Sequence, residues 1–260
     1  MHINKINFKK YQFHPFITII SVVITVVIIA KTISFFAQPK IDTTAGLETL
    51  SYMDQLDIDQ IEFQIDTLEE AERIEAEEWE NRTPNEKFSN SVVMGDSITQ
   101  GLYEYGILDE SHVIADRGTE ISKISTSKID EHISMVINLH PQTIFLAYGL
   151  NDLTVLNGNC DFFKQQYQII IQQIKESLPD TKIYINSILP VEQFVIDSNN
   201  DFQYIPQFNE KLKELCIEEN IIYIDNTSLI HPEYYANDGI HLSPSYYPEW
   251  VNHMAEVAEL

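Results

Sequence analysis

Apolar positions fall into three regimes along the chain. From Phe16 to Ala37 they run almost unbroken, with Lys31 as the single charge. From Ile41 to Arg82 they thin out; Ile58, Ile61, Ile65 and Leu68 recur at helical three-and-four spacing, and Glu69 to Glu80 favours helix. From Ser89 onward, short β-branched runs alternate with helical patterns. Strands are expected at Ser91–Met94, Val113–Ala115, Thr143–Ala147, Lys182–Ile188 and Ile221–Ile224. Helices are expected near Ile121–Asn138, Asp161–Ser177, Gln207–Asn220 and Pro244–Glu259. Such alternation predicts βαβ units and a parallel sheet covered on both faces. The expected fold class is therefore α/β: a flavodoxin-like three-layer α/β/α sandwich with a five-stranded parallel sheet, preceded by an N-terminal transmembrane helix and an acidic stalk.

The span from Phe16 to Ala37 holds 22 residues, or about 33 Å of helix at 1.5 Å per residue. A hydrocarbon core is roughly 30 Å thick. Lys5, Lys9 and Lys10 precede it and no acidic residue does, which places the amino terminus in the cytoplasm and the rest outside. A cleaved signal peptide is the alternative. Its cleavage site wants small residues as in A-x-A, whereas Ile28-Ile29 precede Ala30 and Phe35-Phe36 precede Ala37. The expected organisation is a basic cytoplasmic leader (1–15), an anchor (16–37), an acidic and partly helical stalk (38–88) and a catalytic-size domain (89–260).

Charge sharpens this division. The chain carries a formal net charge of -24, and Ile41 to Arg82 contributes fourteen acidic residues against Arg73 and Arg82, half of that total. A solvated stalk fits this composition; a short coiled-coil dimer, or a helix packed back on the domain, are the alternatives. So acidic a chain excludes nucleic-acid binding, which calls for a basic surface, and a peripheral grip on anionic lipid. Cys160 and Cys216 form no CxxC and no zinc-ligand cluster. They read as core thiols, with a bridge as the alternative in an oxidising compartment.

Candidate chemistry begins at Gly95-Asp96-Ser97-Ile98-Thr99, where the first strand stops and a helix-compatible stretch follows. A serine at the carboxyl rim of a parallel sheet is well placed for chemistry, although Gly-Asp-Ser is also ordinary turn composition. As a nucleophile it needs a base, a group that orients the base, and donors for an oxyanion. Asp116-Arg117-Gly118-Thr119 after the second strand offers a glycine N–H. Tyr148-Gly149-Leu150-Asn151-Asp152 after the third offers an amide. Asn237-Asp238-Gly239-Ile240-His241 after the fifth sets a carboxylate three residues from an imidazole, and the order Ser, Asp, His is one of several that build the same triad.

These blocks, with Ser187-Ile188-Leu189-Pro190 after the fourth strand, resemble the SGNH, or GDSL-type, family of esterases and acyl hydrolases. The resemblance covers Ser89–Leu260, with the anchor and stalk outside it. It implies Ser97 as nucleophile, His241 as base and then acid, Asp238 as its orienting carboxylate, and an oxyanion hole from the N–H of Ser97, the N–H of Gly118 and the Asn151 side chain. It requires no cofactor and no metal. Asp96 and Asp152 are expected to hold turns through backbone hydrogen bonds. Tyr103, Glu104 and Tyr105 either line the substrate pocket or form plain helix surface. His112, His132, His140, His231 and His253 follow no ligand spacing.

Gly-x-Ser-x-Gly is absent, against an α/β-hydrolase elbow. Few long apolar insertions interrupt the blocks, which disfavours a deep acyl channel. The expected function is a membrane-anchored, extracytoplasmic serine esterase acting on short acyl esters, acetyl above all, of a small molecule or a cell-surface or environmental glycan. Acyl transfer at the same site, lysophospholipase or thioesterase activity, and a non-catalytic glycan-binding module are the alternatives.

Overall fold

The computed structural model describes residues 15–36, 43–55, 58–123 and 127–260. The chain divides into two compact units, 1–72 and 73–260. In the first, α1 (Pro15–Phe36) and α2 (Thr44–Gln55) are helical, and α3 (Ile58–Asn81) begins there and ends in the second unit. The leader at 1–14, the last residue of the expected anchor (37) and the start of the stalk at 38–42 lie outside the described residues. Side chains of α1 are described over 22–33, and all of these are exposed, Val22, Val23, Ile24 and Val26 among them. Among the described residues no helix is long and apolar enough to cross a membrane. The transmembrane span expected at 16–37 is thus met by a helix but not by a described apolar stretch of spanning length.

The second unit holds the sheet. Thr83 stops the acidic helix and starts α4 (Pro84–Lys87) through a capping box: its side chain accepts from the Glu86 N–H, and its own N–H donates to the Glu86 carboxylate at 2.7 Å. Lys87 then lies 3.5 Å over the Trp79 ring, a cation–π contact that ties the end of α3 to the domain's first turn.

Five strands follow: β1 (Ser91–Gly95), β2 (Val113–Ala115), β3 (Thr143–Ala147), β4 (Lys182–Asn186) and β5 (Ile222–Ile224). All pair in parallel, in the order β2-β1-β3-β4-β5. This is the doubly wound, flavodoxin-like order, whose switch point lies between β1 and β3. Their near-continuous apolar runs suit strands buried on both faces. Val92, Met94, Ile144, Leu146, Ile183 and Ile185 point to one core, and the intervening Val93, Phe145 and Tyr184 to the other. Phe145 and Tyr184 are register partners, and their rings stack 5.1 Å apart.

Helices cover each face. The first core takes α6 (Ile129–Leu139), α7 (Leu150–Leu156), α8 (Cys160–Ser177), α9 (Gln193–Ser198) and α10 (Ile205–Glu219). The second takes α5 (Ser97–Glu104) and α11 (Tyr247–Ala258), with Trp250 and Tyr246 stacked 5.8 Å apart. Cys160 and Cys216 are free thiols on the first face, and burial pushes the Cys216 thiol up to about 12.

Among the boundaries that differ from the sequence expectation, two do so beside hydrogen bonds from distant side chains. The helix expected from Ile121 begins only at Ile129: the backbone turns left-handed at Lys123 (φ +55°), just after the Asp152 carboxylate accepts the N–H groups of Ile121 (3.0 Å) and Ser122 (2.8 Å). The strand expected to reach Ile188 ends at Asn186. Beyond it the Asn209 side chain of α10 accepts the Ile188 N–H at 2.8 Å and donates to its carbonyl at 2.9 Å, in place of a strand neighbour.

Gly95 closes β1 where no side chain fits. A Cβ there would stand 1.8 Å from Thr99 Oγ1 and 2.7 Å from the Ala147 carbonyl oxygen. Gly95→Ala should therefore destabilise the protein by about 3 kcal/mol through overpacking, read as a lowered midpoint in urea unfolding.

Candidate active site

The carboxyl ends of β1, β2 and β3 meet at the switch point, where a crevice opens. β1 delivers Asp96 as the N-cap of α5, its side chain accepting the Ile98 N–H at 3.0 Å. That cap turns the chain abruptly and makes Ser97 the first residue of the helix. Its N–H is one of the donors that a helix start leaves without an intrahelical partner, at the positive end of the helix dipole.

His241 arrives from the long segment between β5 and α11. Its Nε2 lies 3.0 Å from Ser97 Oγ, and its Nδ1 lies 2.7 Å from Asp238 Oδ2. A carboxylate only accepts, so Nδ1 carries the proton and Nε2 presents its lone pair to the serine hydroxyl, which donates. The other Asp238 oxygen accepts the N–H groups of Ile240 (3.0 Å) and His241 (2.9 Å), fixing the carboxylate within its own turn. Partial burial pulls the Asp238 carboxyl up. The hydrogen bonds from Ile240 and His241 outweigh it and hold the group below its ordinary range.

Gly118 follows β2 with φ +76°, and nothing lies within 4 Å of where its Cβ would be. The position demands glycine for its backbone angle rather than for space. Asn151 sits in the first turn of α7, and its Nδ2 donates to the Thr119 carbonyl at 3.1 Å and to Asp96 Oδ2 at 3.3 Å. The structure thus brings Ser97, His241 and Asp238 into one hydrogen-bonded line. It links Asn151 directly to the turn beside Gly118. Asp96 and Asp152 hold backbone turns, as their sequence context suggested.

Tyr103, Glu104 and Tyr105 turn to other work. Tyr103 packs at the edge of the second core, Glu104 binds Arg117 through both carboxylate oxygens (3.0 and 2.9 Å), and Tyr105 lies 5.2 Å from the Tyr247 ring. A pocket of about 400 Å³, its open mouth included, is lined by Asp96 and Ile98, the residues on either side of Ser97. Leu150, Ile188, Leu189, Val191, Ile240 and Trp250 form its apolar wall. Only the Ser-Ile-Leu-Pro stretch hinted at this wall in the sequence. Among the described residues, no three His, Cys, Asp or Glu side chains gather as a metal site would need.

Residues 93–247 match the model of the GDSL-like lipase/acylhydrolase family, more than half of the chain. The chain belongs to that family. It is accordingly a GDSL-type serine ester hydrolase. Among solved structures, it is similar to a GDSL-like lipase from Bacteroides thetaiotaomicron (18% identity, TM-score 0.51, covering 72% of this chain and 96% of that one). It is also similar to a carbohydrate esterase of family 3 from Talaromyces cellulolyticus (14% identity, TM-score 0.51, covering 65% and 95%). At these identities the likeness is one of fold. No curated protein matches the chain in sequence.

Asp96 is buried beside Ser97. Burial raises its pKa from 3.8 to about 7, against the bond from Ile98, with the nearby Asp152 adding to the rise. A carboxyl raised on folding favours the folded state most at low pH. That contribution is lost as pH climbs from about 4 through about 7, by at most about 4 kcal/mol. Asp96→Asn cannot ionise, so its Tm relative to wild type should climb steadily between pH 4 and pH 8 in thermal unfolding. A difference that stays flat across that range would mean that Asp96 is ionised throughout.

Proposed function

We propose that the protein is a membrane-anchored, extracytoplasmic esterase that removes short acyl groups, acetyl above all, from carbohydrate. The observation that carries the chemistry is the continuous line Asp238–His241–Ser97, at 2.7 and 3.0 Å. In this reading Ser97 Oγ attacks the ester carbonyl while His241 Nε2 takes its proton, and Asp238 stabilises the imidazolium. The tetrahedral oxyanion receives the N–H groups of Ser97 and Gly118 and the Asn151 amide, whose longer contact to Asp96 yields to it. Each such donor is worth on the order of 100- to 1000-fold in rate. The imidazolium then protonates the leaving alcohol. Water, deprotonated by the same imidazole, releases the acid and restores Ser97.

Two features support the substrate class. The apolar pocket is small, with Trp250 and Val191 in its lining, which suits an acyl group of a few carbons. The side chains of His241 and Asp238 are 42% and 50% exposed, so the alcohol side opens broadly to solvent and admits a large polar molecule. Membrane anchoring is supported by the apolar run 16–37 after a lysine-bearing leader, and by the uncovered Val and Ile side chains of α1.

Full-length protein in detergent should release acetate from p-nitrophenyl acetate and from acetylated oligosaccharides. Its kcat/KM should fall steeply as the acyl chain lengthens beyond about four carbons, with Ser97→Ala at least about 10,000-fold slower. Equal turnover of octanoyl and acetyl esters would refute the short-acyl assignment, and activity surviving Ser97→Ala would refute the nucleophile. For the anchor, expression in bacterial cells should leave the protein in the membrane after carbonate washing, with its domain open to external protease in spheroplasts. Full release by carbonate would count against a spanning helix.

A further inference from the structure

Catalysis as proposed leaves several buried titratable groups unused, and one of them is a histidine. His132, on α6, is 1% exposed and stands between two strand exits. Its Nδ1 lies 2.8 Å from the Tyr148 hydroxyl and its Nε2 lies 3.2 Å from Asp116 Oδ2. Asp116 leaves β2 two residues before Gly118, and its carbonyl accepts the Thr119 N–H at 3.2 Å, closing the turn around that glycine. Tyr148 leaves β3 three residues before Asn151. One imidazole therefore spans the two segments that carry the glycine N–H and the asparagine amide.

The protons of this bridge are determined by chemistry. The Asp116 carboxylate accepts from Nε2–H and, on its other oxygen, from Lys128 Nζ at 3.0 Å. Nδ1 then accepts the Tyr148 O–H, so the neutral imidazole matches both partners. Burial works in the same direction, lowering the His132 pKa against the opposing pull of Asp116. A matched pair of hydrogen bonds in a dry interior is stiff, because an alternative arrangement would leave a buried polar group unpaired.

We infer that His132 is a positioning residue for ester cleavage: it clamps the β2 exit to the β3 exit and so sets the spacing between the Gly118 N–H and the Asn151 amide. This rests on the reading of those two groups as oxyanion donors. The clamp acts on the transition state alone, since the neutral ester carbonyl makes weaker demands on the donors than the oxyanion does. Slack of an ångström in such a site costs about 100-fold.

Tyr148→Phe tests this with the least disturbance, because it removes one oxygen and keeps the ring. In full-length protein, kcat for p-nitrophenyl acetate should fall about 10- to 100-fold with KM within about twofold. His132→Gln, which offers an acceptor to Tyr148 and a donor to Asp116, should recover part of the rate that His132→Leu loses. In an Asn151→Ala background, Tyr148→Phe should cost much less than it does alone, because the donor it positions is gone. The inference is overturned if Tyr148→Phe keeps full kcat, or if its loss multiplies in full with that of Asn151→Ala. A wild-type protein that neither turns over esters nor labels at Ser97 with a fluorophosphonate would instead refute the esterase reading itself.

Discussion

Everything at the site depends on three strands ending level with one another. In the parallel ladder Gly95 is the register partner of Ala115 on one side and of Ala147 on the other. The next residues of all three strands therefore leave the sheet at one height. A shift of one residue in either pairing would move an exit by about 3.3 Å and turn its side chains to the opposite face. The absence of a side chain at Gly95 lets this alignment coexist with the tight turn into α5. Serine, glycine and asparagine, from three distant parts of the chain, are then neighbours without any long loop to hold them.

The aspartates of the site divide by surroundings. Asp96 and Asp152 are buried against the sheet, where desolvation raises them to about 7 and about 6; Asp96 accepts the Ile98 N–H and the Asn151 side-chain amide, and Asp152 accepts the N–H groups of Ile121 and Ser122. Asp238 is half exposed and braced by hydrogen bonds, which keep it ionised in the ordinary working range. One residue type thus builds the frame in one place and polarises an imidazole in another. Burial and the count of donors separate the two uses.

Much of this was legible before any coordinates. The β-branched runs locate all five strands to within two residues, since a strand buried on both faces leaves little freedom of composition. The blocks at their ends identify the residues that the structure brings together around Ser97. Interactions between distant positions were not legible. Asp152 captures Ile121 and Ser122 from about thirty residues away, and Asn209 replaces a strand neighbour for Ile188. Periodicity near those residues therefore continues helix and strand past their true ends. His132 gives no signal in the sequence because its partners, Asp116 and Tyr148, each lie sixteen residues off, a separation that only the packing of α6 on the sheet turns into contact.

The bond between His241 and Ser97 joins positions 144 apart, with four of the five strands, β2 to β5, between them. Closing so large a loop has an entropic cost that is repaid only when the intervening sheet is in place. The imidazole also comes from beyond β5 and just before α11, which completes the second core. A chain cut before His241 therefore lacks the imidazole that the proposed chemistry asks of it. On that reading, reactivity is a property of the folded domain and not of the serine segment alone.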